Sequence, residues 1–177
     1  VIEAPLRQAM GSGAPALIEA TYNQVNHRGG YTGMAPADFR RLVDGTAHKV
    51  GFDPSRLILG GDHLGPNPWK HHAAEEAMHE AAMMVEAYVR AGFEKIHHDA
   101  SMGCLGEPPA LPDELTTGRA ATLAAVSEAG AVSKPIYVIG AEVPFQAGQS
   151  ALPMQSISPA PMPSAGRSRF IEMPSRS

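Results

Sequence analysis

The sequence predicts an α/β fold in which parallel strands alternate with helices, and three observations support that reading. Four short apolar runs, Ala16-Leu17-Ile18-Glu19-Ala20, Leu57-Ile58-Leu59-Gly60, Lys95-Ile96-His97-His98 and Ile136-Tyr137-Val138-Ile139, are each too brief for a helix. They begin near residues 17, 57, 95 and 135, at spacings of 40, 38 and 40, which leave room for one helix and two loops each time. Helical patterns fill those intervals. Strands that alternate with helices pair in parallel through right-handed crossovers, because a parallel partner needs a long connection that packs back on the sheet.

After the first strand, Phe39, Leu42, Val43, Ala47 and Val50 mark one face of a 3.6-residue period, with Pro36 suited to the first turn and Gly51 to the stop. After the second, Ala74, Ala77, Met78, Ala81, Val85 and Tyr88 repeat the pattern. Glu75, Glu76 and Glu80 lie toward its start, Arg90 stands at its end as the helix dipole favours, and Gly92 closes it. The third helix runs from Asp113 to about Ala129, is Ala-rich and contains Gly118.

Two architectures fit this alternation, an eight-fold βα barrel and an open doubly wound sheet. Four strands consume about 140 residues, whereas closure takes about 250, so a barrel here is about half of one. Residues 1–150 form that domain. Residues 151–177 differ in kind, with Pro153, Pro159, Pro161, Pro163 and Pro174, six Ser, three Arg, one acid (Glu172) and no periodicity. They read as a disordered Pro/Ser-rich tail.

Composition excludes several classes of function. The chain has 177 residues and a net charge of −4, and no run approaches the ~18 apolar residues of a membrane span. No basic stripe and few aromatics argue against a nucleic-acid partner. Cys104 is the sole cysteine, so neither an internal disulfide nor a CxxC metal knuckle forms, and the expected compartment is the cytoplasm. Val1-Ile2-Glu3-Ala4-Pro5 has no basic or apolar signal region and reads like an internal start. Neither GxxxxGK[ST] nor GxGxxG occurs.

In parallel α/β sheets, functional groups gather past the C-terminal ends of the strands. Four polar clusters occupy that position: Glu19 to Asn26, Gly60 to Pro66, His97 to Ser101 and Gly140 to Pro144. Asp62-His63 pairs an acid/base group with an imidazole able to ligate a metal, between glycines that allow close approach. His97 and His98 point to opposite faces of a strand, so at most one lines a barrel interior, and either can be a hydrogen-bonded strand-end histidine. Asp99 and Ser101 fall in the loop proper. Glu142 emerges from an apolar strand as a substrate contact, a metal outer-shell group or a solvated end. Asn23, Gln24 and Asn26 can hold sugar hydroxyls or phosphate oxygens, or simply build turns. His71, His72 and His79 read as a solvated helix face, and Cys104 lacks triad partners.

These segments closely resemble one family. Leu17 to Asn26, Gly29 to Met34 with Pro36 to Phe39, Ile58 to Asn67, Ala87 to Phe93, Lys95 to His97 with Asp99 to Met102, and Tyr137 to Gly140 with Glu142 to Pro144 resemble, in order, the GatZ/KbaZ family. That family is the non-catalytic subunit of class II D-tagatose-1,6-bisphosphate aldolase, earlier labelled a tagatose 6-phosphate kinase. The resemblance implies a (β/α)8 TIM-barrel-type fold and a catalytic partner subunit in the galactitol and N-acetylgalactosamine pathways. It implies the acid/base role for Asp62 and a zinc-ligand role for His63, and it matches Asp99, Ser101 and Glu142 to the loops after the next two strands; with Asn23 and Asn26 from the amide-rich loop, these are the expected substrate-binding residues.

Departures from the pattern set further expectations. The other zinc histidines of such aldolases come from later strands, and no histidine follows His98, so the expected zinc ligand set is incomplete. Val1 to Ala4 matches the start of the family's first helix, and the tail stands where the second half of a barrel would follow, as in a truncated gene product. Open strand edges predict self-association. The expected role is an accessory subunit. The alternatives are a zinc-dependent lyase completed by a second chain and, on the older label alone, a tagatose 6-phosphate kinase.

Overall fold

The computed structural model describes residues 1–140. The order of elements is α1 (Glu3–Ser12), β1 (Ala16–Thr21), α2 (Pro36–Val50), β2 (Leu57–Leu64), α3 (Ala74–Arg90), β3 (Lys95–His98), α4 (Asp113–Gly130) and β4 (Ile136–Ile139), with short 3-10 turns at Pro54–Arg56 and Asn67–Trp69. The expected tail at 151–177 and Glu142 lie outside the described residues.

The four strands form one parallel sheet in the order β1-β2-β3-β4. That order separates the two architectures left open by the sequence. A doubly wound sheet reverses its strand order at a switch point, whereas a βα barrel adds each strand beside the last. Within the described residues the order never reverses, as in the first half of a TIM barrel.

Among the described residues, one face of the sheet is packed against helices and the other is open. Ala16, Ile18 and Ala20 of β1, Leu57 and Leu59 of β2 and Ile96 of β3 are buried in the core with Phe39, Val43 and Ala47 of α2 and Met84, Val85, Tyr88 and Val89 of α3. The alternating residues point the other way: Leu17, Ile136 and Val138 are exposed, and Glu19, Lys95 and His97 share that face. Tyr88 is the largest fully buried side chain. Its ring packs edge-on to Phe93, and its hydroxyl donates to the carbonyl of Val25 at 2.8 Å. Helix α3 is thereby tied to the loop after β1. Burial pushes the Tyr88 phenol far above its ordinary value, so it remains a donor across the physiological range.

Strand β2 runs farther than the sequence reading placed it. The apolar run ends at Gly60, yet pairing continues to Leu64, and Asp62 and His63 lie within the strand instead of in a loop beyond it. The register explains this. Gly61 pairs with Ile96, but Leu64 pairs with His98, so β2 carries one more residue than β3 over the same stretch, a β-bulge.

Replacing Tyr88 by Phe leaves the packing and removes one buried hydrogen bond, so the variant loses about 1 kcal/mol of stability. Urea denaturation checks this, and an unchanged midpoint would mean that the hydroxyl does not anchor the loop after β1.

Candidate metal and ligand site

The bulge builds the site. Adjacent strand residues ordinarily face opposite sides, but two residues opposing one on the partner strand can reach the same side. His63 takes the extra place with φ of 57°, the left-handed region that a side-chain-bearing residue seldom adopts. Asp62 then lies between two imidazoles: Oδ2 meets His63 Nδ1 at 2.8 Å and Oδ1 meets His97 Nδ1 at 2.8 Å. The two rings are 4.6 Å apart.

A second layer of charge lies below on the same face. Lys95 Nζ is 3.6 Å from Asp62 Oδ1 and is paired closely with Glu19. Strand register puts Gly60 between Glu19 and Lys95. A Cβ at Gly60 would come within 2.7 Å of Glu19 Oε1, so the absent side chain is what lets the pair cross β2. Partial burial pushes the Asp62 carboxyl up, but its hydrogen bond to His97, with His63 and Lys95 nearby, outweighs burial and holds it below the ordinary value. Asp62 is therefore an ionised carboxylate at neutral pH.

Strand pairing adds a histidine to the ligand inventory read from sequence. His63 was expected as the one ligand in register, yet the ligand atoms of Asp62, His63 and His97 all lie within 4.8 Å of one another. Two imidazoles and a carboxylate are a donor set suited to a catalytic divalent metal with an open position. In the metal-free arrangement each Nδ1 donates its proton to Asp62, and a cation can take the place of those protons. The residues fit a metal. The alternation argument for His97 and His98 holds: His97 joins the site, while His98 is buried behind the sheet against Ser127 and Tyr137. Burial pulls His98 down to about 4, so it stays neutral.

Beside His63 lies a polar recess of about 150 Å³ lined by Thr21, Tyr22, Asn23, His63, Asn67 and Asp99. Asn23 and Asp99 thus share it with the metal cluster. Asp99 Oδ1 also accepts from the backbone and hydroxyl of Ser101, both buried, which shapes the loop after β3. Asn26 spends its amide inside its own loop, donating to Tyr22 O and accepting from the backbones of Arg28 and Gly30. Cys104 is buried, and burial raises its thiol, which keeps it protonated. Tyr22, Asn67, Lys95, Glu19 and His97 also lie at the site, where sequence alone assigns none of them a role. For His97 the signal is its place one residue past the Gly61–Ile96 pair, level with Asp62, which is visible only once β2 and β3 are paired.

The loop that carries Tyr22 and Asn23 is fastened to α3. Glu80 accepts from His27 Nε2 at 3.0 Å and from Arg28 Nε at 2.9 Å, and Trp69 packs beside His27. The Arg28 hydrogen bond lowers the Glu80 carboxyl below its ordinary 4.5, against the opposing effect of burial and with help from His27. A lowered carboxylate contributes stability that is present above its unfolded value and is lost as pH falls through its folded value. Glu80→Gln is therefore less stable than wild type near neutrality by up to about 1 kcal/mol, because Arg28 is largely solvent-exposed. The difference closes below pH 4.5; thermal melts of both proteins across pH 3–8 check this, and a gap that widens with acid would contradict it.

The chain is similar to known proteins of one family. The family model for D-tagatose-1,6-bisphosphate aldolase subunit GatZ/KbaZ-like proteins matches residues 1–165. A D-tagatose 6-phosphate 4-epimerase of Agrobacterium fabrum is 55% identical over 84% of this chain and 36% of its own. The aldolase subunit GatZ of Escherichia coli strain SMS-3-5 is 53% identical over 85% of this chain and 37% of its own. A crystal structure from Sinorhizobium meliloti 1021, described as a probable tagatose 6 phosphate kinase, superposes with a TM-score of 0.77 at 57% identity, covering 80% of this chain and 36% of that one. The chain thus spans about a third of the length of these relatives. With four parallel strands in unreversed order and the aldolase-subunit pattern running through them, the chain belongs to the GatZ/KbaZ-like family of D-tagatose-1,6-bisphosphate aldolase subunits.

Proposed function

We propose that the protein serves as an accessory subunit of a D-tagatose-1,6-bisphosphate aldolase, acting with a class II catalytic subunit in cytoplasmic galactitol or N-acetylgalactosamine breakdown. The family match over residues 1–165 carries this reading. Mixing the purified chain with a catalytic subunit tests it: a defined complex in light scattering and a longer-lived aldolase activity are expected, and no complex would overturn it.

The Asp62, His63 and His97 cluster favours a second reading, in which the site itself takes part in chemistry on a ketohexose phosphate with zinc bound. A zinc ion held there supplies Lewis-acid polarisation of a carbonyl or hydroxyl oxygen. With one oxygen of Asp62 and the two imidazoles toward the ion, the second oxygen of that carboxylate would be free to accept the proton of the C4 hydroxyl. Loss of that proton turns C4 into an aldehyde as the C3–C4 bond breaks and its electron pair stays with the ketone half. Rejoining on the other face of the aldehyde inverts C4. One reversible aldol step thus relates the aldolase and 4-epimerase names of the relatives. Under this reading the chain binds one equivalent of zinc, and His63→Ala or His97→Ala weakens binding by at least about a hundredfold, more than loss of an outer partner does. Metal analysis after dialysis measures it, and unchanged zinc content in both variants would overturn it.

A further inference from the structure

We propose that Tyr22 and Asn67 form a subsite that reads one hydroxyl group of a polyhydroxylated ligand beside His63. The inference rests on the reading of this site as one for ketohexose phosphates, and it assigns part of the specificity to two residues outside the metal cluster. Asn67 Nδ2 donates to the Tyr22 hydroxyl at 2.8 Å, and both side chains line the recess with His63. Asn67 Oδ1 is buried and has no hydrogen-bond partner among the described residues.

The hydrogen bond to Tyr22 sets the amide with Nδ2 toward that hydroxyl, which leaves Oδ1 as the buried acceptor without a donor. An acceptor stranded in this way costs free energy until a donor is supplied. A ligand hydroxyl can donate to it and accept in turn from a neighbouring group. Aldehyde, carboxylate or alkyl groups meet only part of that demand.

The backbone presents the pair rigidly. Asn67 starts a 3-10 turn between Pro66 and Pro68. Just before it, Gly65 lies so close to the carbonyl of Asp99 that a Cβ would fall 1.6 Å from that oxygen. Tyr22 follows β1 directly, and its backbone N–H donates to the carbonyl of Asp62 at 3.3 Å. The recess volume of about 150 Å³ equals about five waters at ~30 Å³ each. That suits a three-carbon polyol segment, with the remainder of a ketohexose phosphate extending onto the open face of the sheet.

Asn67→Leu keeps the volume and removes the amide. The test compares its affinity with that of wild type for D-tagatose 6-phosphate and for the 3-, 4- and 5-deoxy analogues, by calorimetry, alongside urea denaturation of the ligand-free proteins. The subsite predicts a loss of about tenfold or more for D-tagatose 6-phosphate, confined to the hydroxyl that one analogue lacks, so that this analogue binds both proteins equally. It also predicts that the ligand-free variant is at least as stable as wild type, because an unsatisfied buried atom has been removed. Unchanged affinity for D-tagatose 6-phosphate, or an equal loss for every analogue, overturns the subsite. If wild type binds no ketohexose phosphate, the functional reading fails separately and the stability arm still decides. A destabilised Asn67→Leu would then show that the amide serves the scaffold, and a stabilised one that it is kept for a ligand.

Discussion

One extra residue in β2 governs the site. A regular strand would send Asp62 and His63 to opposite faces, one toward the helices and one toward the open side. The bulge opposite β3 and the left-handed backbone of His63 bring both to His97. A side-chain-bearing residue in that conformation costs about 1–3 kcal/mol and persists only where its surroundings over-determine it. Here they do. Gly61 leaves room for Tyr88, a Cβ there coming within 2.8 Å of its ring; Leu64 is fully buried; and Gly65 is pressed against Asp99. The core between α3 and the sheet thus sets the geometry of the polar cluster.

Electrostatics on the open face follow from that placement. Glu19, Lys95 and Asp62 alternate in sign from β1 through β3 to β2, ending at two imidazoles. Lys95 is mostly buried, and its two carboxylate neighbours compensate the loss of water that such a charge requires. Asp62 gains in turn, since a cation and two hydrogen-bonding rings keep it ionised at the end of the sheet where ligands gather in parallel α/β folds. The helical side carries the apolar packing, and the open side carries the charges and the donor set.

Much of the fold was legible in the sequence because its signals are local. Pro36 and Gly51 mark α2, acidic residues and Arg90 mark α3, and all four apolar runs become strands. The end of β2 was not legible, because glycines read as a turn and a bulge depends on what the neighbouring strand does. For the same reason Asp62 and His63 were found but His97 was not assigned: local alternation shows that only one of His97 and His98 faces the open side, whereas the inter-strand register decides that it meets Asp62. Tyr22 and Asn67 were invisible as a pair, since they are 45 residues apart and meet only where the loops after β1 and β2 come together.

A bulge in β2 brings an Asp-His pair and a histidine of the next strand into one set of atoms able to hold a metal ion. X-ray absorption spectroscopy of the zinc-loaded protein addresses it most directly. Two imidazole ligands and at least one oxygen ligand are expected, with Zn–N and Zn–O near 2.0–2.2 Å. A spectrum with one imidazole or none would contradict it, because His63 and His97 would then not share an ion.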